Sequence, residues 1–231
     1  MQSLTPTSRY LNALNEGSHQ PDDVQKEAVS RLDLIYQQIV TKEQSAPQTR
    51  GLMAKFGKLL GKREPTTQTP VRGLYMWGGV GRGKTWLMDQ FYQSVSVPAR
   101  RQHFHHFMQW VHQRLFQLTG TADPLKVLAK ELGKELRVLC FDELFVNDIG
   151  DAIILGRLFQ VMFDEGVVLV CTSNQPPEQL YSQGHNKERF APAITAILKH
   201  MDIVSVDGSE DHRLHPGIAR QRYWVTGPGQ P

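Results

Sequence analysis

Gly78-Gly79-Val80-Gly81-Arg82-Gly83-Lys84-Thr85 carries the most specific signal in this sequence. Its spacing is that of a phosphate-binding P-loop, and each part has a physical job. Gly78, Gly81 and Gly83 allow a tight turn, so the backbone can approach phosphates closely. Successive N–H groups then form a concave anion site at the positive end of the following helix. Lys84 places a cation on the β- and γ-phosphates, and Thr85 offers a hydroxyl to Mg²⁺. The expected ATP-binding set is therefore Gly78, Gly79, Val80, Gly81, Arg82, Gly83, Lys84 and Thr85. Residues 71–77 (VRGLYMW) read as a buried strand feeding this loop, and 85–92 (TWLMDQFY) as the helix leaving it.

Working outward, strands and helices alternate. Arg100 to Phe107 reads as a second strand, followed by helices over Met108–Leu118 and Pro124–Leu132. Arg137 to Phe141 is a short apolar run, as a central parallel strand requires. Asp148 caps a helix of mainly apolar residues that Gly166 stops, and Val167 to Cys171 is the next strand. Helical stretches near 176–182 and 191–200 precede a last core strand, Met201 to Val206. Repeated β-then-α units predict a parallel sheet covered on both faces. Upstream, 1–49 reads as a helical extension, with an amphipathic helix starting at Pro21-Asp22-Asp23. Residues 50–70 form a basic linker, and 71–231 the P-loop core.

The 231 residues, 40% hydrophobic and 21% charged, fit one ordinary globular domain with an extension. A net charge of +3 is too weak to indicate nucleic acid or a membrane surface. The start, MQSLTPTSRY, lacks an apolar leader and no long apolar run follows, so a cytoplasmic protein without a transmembrane segment is expected. Cys140 and Cys171 fall in predicted strands and read as reduced core thiols.

Three further groups point to hydrolysis. Asp142-Glu143 follows an apolar strand; Asp142 is the expected Mg²⁺-side acid and Glu143 the general base for an attacking water. Asn174 ends the next strand, where it can orient that water. Arg189 precedes the last strand, where ring-forming ATPases keep an arginine that reaches a neighbouring subunit's γ-phosphate. The run His103-Phe104-His105-His106-Phe107 invites a metal reading, with His103 and His105 on one face of a strand. No cysteine or acid completes a tetrahedral set, so hydrogen-bonded histidines beside the nucleotide are expected instead.

Together GLYMWGGVGRGKT, HFHHFMQWVHQRL, FDELFVNDIGDAIILGRLF, VVLVCTSNQPPEQLY and RFAPAI closely resemble the ZapE cell-division ATPases, bacterial proteins with mitochondrial relatives. The resemblance covers nearly the whole chain. It implies a three-layer αβα P-loop NTPase of AAA+-like type with a mainly parallel sheet and an N-terminal helical extension. It implies ATP and Mg²⁺ as cofactors, recruitment to the division site, and destabilisation of polymers of the tubulin-like protein FtsZ. It also implies a possible homo-oligomer in which Arg189 acts in trans. Asn186-Lys187 stands where the family usually has Gln-Arg, and Asp211-His212-Arg213 where it has Asp-Tyr-Arg. The family continues beyond Pro231 into a lid-like region, so a shortened form is expected, with binding surviving better than turnover. Two alternatives remain open at this point: a nucleotide-gated protein-binding module, and a helicase-loader-like ATPase using the basic 50–63 segment.

Overall fold

Along Gly73–Trp77, strand β1, successive side chains go to opposite faces of a sheet. Leu74 and Met76 enter one apolar core, and Tyr75 enters the other. The computed structural model describes residues 4–18, 22–45, 70–81, 83–181 and 187–207. Most of the expected basic linker, Arg82, Asn186 and Asp211-His212-Arg213 lie outside the described residues.

Helices α1 (Pro6–Asn15) and α2 (Asp23–Ser45) precede β1. Then come α3 (Lys84–Ser94), β2 (Ala99–His103), α4 (Phe104–Gln117), α5 (Pro124–Glu135) and β3 (Val138–Asp142). The rest is α6 (Ile149–Asp164), β4 (Val168–Ser173), 3₁₀ turns over Pro177–Gln179 and Lys187–Phe190, α7 (Ala191–His200) and β5 (Met201–Ser205). All four strand pairings are parallel, in the order β2-β3-β4-β1-β5.

The sheet separates two cores, which makes three layers. On one face Tyr75, Leu139, Phe141, Leu169 and Cys171 meet α4 to α7 through Phe107, Leu128, Leu158 and Ile197. On the other, Leu74, Met76, Cys140 and Val170 meet α2 and α3 through Ala28, Leu32, Leu87 and Phe91. The N-terminal helices thus share a core with the sheet, and Arg9 adds hydrogen bonds to Gln93 on α3. Cys140 and Cys171 are buried free thiols. Burial pushes both thiols up from the usual range.

Two expectations are corrected. The strand expected over Arg100–Phe107 ends at His103, because the His103 ring Nδ1 accepts the His105 N–H at 3.1 Å and caps a helix there. Phe104, Phe107, Met108 and Val111 then follow helical spacing into the core, while His105 and His106 are exposed. His103 and His105 therefore do not share a strand face. The helix expected near 176–182 is only the 3₁₀ turn Pro177–Gln179.

Candidate active site

The loop leaves β1 at Gly78, whose N–H donates to the Ser173 carbonyl at 3.1 Å. The next N–H, of Gly79, donates to Asp207 Oδ1 at 2.6 Å. A Cβ on Gly78 would stand 2.8 Å from that carboxylate oxygen and 3.0 Å from Val206 Cγ2, so the close approach requires glycine. Gly83 has φ +80° and starts α3; a Cβ there would stand 2.4 Å from Nε2 of Gln25, a buried residue of α2. The N-terminal helices thus touch the loop. Val80 projects into solvent, and Thr85 is exposed in the first turn of α3. Lys84 folds back over the loop: its ammonium donates to the Gly78 carbonyl, to the Gly79 carbonyl at 2.8 Å and to Asn174 Oδ1 at 3.2 Å.

Asp142 closes β3, and both its oxygens accept from Arg101, at 2.8 Å from Nε and 3.1 Å from Nη2. Arg101 Nη1 also pairs with Asp89 of α3. Burial opposes the charge on Arg101, but the hydrogen bonds to Asp142 and Asp89 outweigh it and hold the guanidinium protonated. Sequence reading missed this residue. Its signal was the alternation of β2, which puts Arg101 and His103 on one face.

Glu143 has φ +56°, rare for a residue with a side chain. Its N–H donates to Thr172 Oγ1 at 3.0 Å, and the Leu144 N–H donates to the Thr172 carbonyl at 2.8 Å. The Glu143 carboxylate lies 2.8 Å from His103 Nε2. Since His103 Nδ1 accepts the His105 N–H, Nε2 carries the ring proton and donates to Glu143.

The tip of β4 is fixed from below. Ser173 Oγ donates to the Leu144 carbonyl at 2.8 Å, and the Gln175 N–H donates to Ser173 Oγ at 3.2 Å. Tyr75, fully buried, donates its hydroxyl to the Gln175 carbonyl at 2.5 Å. Burial pushes the Tyr75 hydroxyl well up, so it remains a donor. Asn174 is held between these anchors with its side chain exposed toward Lys84.

Beside Glu143 opens a cleft of about 410 Å³, lined by His103, His105, Phe145, Asn147 and Asn174 among others. Arg189 is exposed on the turn Lys187–Phe190, which buries Phe190. Among the described residues no hydrogen bond or ion pair joins Arg189 to Lys84, Asp142, Glu143 or Asn174. Nor does any set of three or more His, Cys, Asp or Glu side chains among them form a metal cage.

The strand order explains why the groups meet. β4 lies between β1 and β3, so the P-loop, Asn174 and the two acids emerge side by side at the C-terminal edge of one parallel sheet. The sequence model of the AFG1-like ATPases matches residues 4–226. The chain belongs to this family. The Escherichia coli (strain K12) cell division protein ZapE is 57% identical over 227 residues, covering 98% of this chain and 60% of that protein. Lactation elevated protein 1 homolog B of Danio rerio is 40% identical over 164 residues, covering 66% of this chain and 33% of that protein. A crystal structure of DnaI overlaps with a TM-score of 0.46 at 20% identity, covering 71% of this chain and 84% of that one. This AFG1-like chain therefore spans 60% of the length of the E. coli relative.

Proposed function

We propose that this chain binds ATP at the P-loop and hydrolyses it, with the energy used on a protein partner in cell division. The observation that carries the reading is the alignment of the P-loop, Asn174 and Asp142-Glu143 on adjacent strand ends. Lys84 now spends its ammonium on two loop carbonyls and Asn174. In the proposed complex it exchanges these acceptors for phosphate oxygens, while the backbone of residues 79–85 cradles them. Glu143 takes the proton of the attacking water, and Asn174 orients that water. The Nε2–H of His103 holds the Glu143 carboxylate in place until then.

The Thr85 hydroxyl and the Asp142 carboxylate are hard oxygen donors of the kind Mg²⁺ takes. When bound, that ion would neutralise charge building on the β- and γ-phosphates. Arg189, exposed on its turn, is free of the site groups of its own chain and suits a role in a neighbouring copy. Sedimentation with and without ATP–Mg²⁺ tests this: a single monomer in both conditions removes the trans role.

The E. coli relative is a cell division protein, and the resemblance to the ZapE ATPases implies FtsZ polymers as the partner. Among the described residues no helix is long and apolar enough to cross a membrane. Purified chain should release phosphate from ATP and shorten FtsZ polymers in a pelleting assay, and Lys84→Ala should do neither. Equal phosphate release by Lys84→Ala contradicts the proposal. ATP that binds but never becomes ADP supports a nucleotide-gated binding module instead.

A further inference from the structure

Arg101 spans two carboxylates on different elements. One is Asp142 at the end of β3, held by both oxygens; the other is Asp89, one turn into the helix that follows the P-loop. Its side chain is 19% exposed and that of Asp142 is 21% exposed, so water screens the pair only partly. The register of β2 on β3 sets this up: His103 lies opposite Asp142, and Arg101, two residues earlier, lies opposite Cys140 on the side leading to the acid. A planar guanidinium can serve both oxygens of one carboxylate and still present a third N–H to a second; an ammonium cannot.

The neighbourhood therefore carries two acids and one resident cation. Without Arg101, Asp89 and Asp142 would be two carboxylates facing one space, the oxygen-rich setting that draws a divalent ion from solution. With it, half of that charge is already answered, and both Asp142 oxygens already accept hydrogen bonds.

We propose that Arg101 is a positioning residue that fixes Asp142 and excludes a bare divalent cation, so that the metal enters only together with the nucleotide phosphates. The inference rests on the proposed metal-side role of Asp142. It also ties α3, and with it the loop, to the tip of β3 through one side chain.

The test is Mn²⁺ binding to the full chain, read from the loss of the free-ion EPR signal beyond the loss that the nucleotide alone causes, with and without a non-hydrolysable ATP analogue. Without nucleotide, wild type should bind Mn²⁺ weakly, and Arg101→Gln at least about tenfold more tightly. Adding Asp142→Asn to Arg101→Gln should cancel that gain. Arg101→Lys keeps a charge but not the fork, and should give a smaller gain; it decides the matter if Arg101→Gln does not fold. Nucleotide-free binding by both Arg101 variants that equals wild type overturns the inference. Asp142→Asn alone separates the two levels. If it leaves nucleotide-dependent Mn²⁺ binding unchanged, the metal-side role of Asp142 falls and takes the inference with it. If it abolishes that binding while the Arg101 variants match wild type, only the inference falls.

Discussion

Tyr75→Phe removes one oxygen atom from the core and reaches the active site through one hydrogen bond. The Tyr75 hydroxyl donates to the Gln175 carbonyl at 2.5 Å, immediately beyond Asn174. Phenylalanine fills the same volume, so no cavity opens and the ring contacts persist. What is lost is one hydrogen bond, a net of about 1 kcal/mol. Gln175 is half-buried, so its orphaned carbonyl adds up to about 1 kcal/mol more. A total of about 1–2 kcal/mol corresponds to roughly 3–6 °C in Tm for a chain of this size. The functional effect follows from position. Asn174 keeps its contact with Lys84 but loses one of the two hydrogen bonds that hold Gln175, on its C-terminal side. ATP affinity should stay within about twofold, while kcat falls by roughly three- to tenfold, since the loss is of orientation. Denaturant unfolding gives the first number, and steady-state phosphate release with a nucleotide titration gives the second. A variant that is destabilised but turns over normally refutes the claim that Tyr75 positions the tip of β4.

Other predictions concern the loop and the alkaline limit. Gly81 and Gly83 both have φ +80°, but only Gly83 has a neighbour, Gln25, at the place of a Cβ. Alanine at either costs about 1–2 kcal/mol of backbone strain. Gly83→Ala should weaken ATP binding by about twofold to threefold more than Gly81→Ala, since the end of the Gln25 side chain must also shift; equal losses would separate α2 from the loop. Burial raises the folded pKa of Cys140 and Cys171 above their usual 9.0. Their contribution to stability is therefore complete below about pH 9 and is lost as pH rises, by up to about 1.4 kcal/mol per unit for each thiol. Urea unfolding should show this fall, and the Cys140→Ala, Cys171→Ala double variant should flatten it. An unchanged slope in that variant contradicts the assignment.

Much of this architecture is legible in the chain because its signals are local. A P-loop needs glycine where the backbone turns with positive φ, and Gly81 and Gly83 occupy such positions. The core strands Val138–Asp142 and Val168–Ser173 are short apolar runs, and the expected boundaries lie close to those observed. The α/β P-loop fold expected from these signals is the fold of the chain. What stayed hidden depends on pairings between distant segments. Strand order could not be read, because β1 pairs with β4 and β5, both far along the chain. Arg101 looks like a charged residue of an ordinary strand until β2 is laid beside β3. His103 alternates with phenylalanine as a strand residue would, yet its ring caps α4 and so ends the strand. Gln25 lies in the N-terminal extension, and nothing in its neighbours announces that it touches Gly83.

Glu143 is proposed as the base of an ATP-hydrolysing site built on three adjacent strand ends. Single-turnover conversion of bound, γ-labelled ATP by Glu143→Gln, beside wild type, tests it most directly. The variant should hold ATP at wild-type affinity and leave it intact while wild type converts it to ADP. Conversion by Glu143→Gln at the wild-type rate would contradict it.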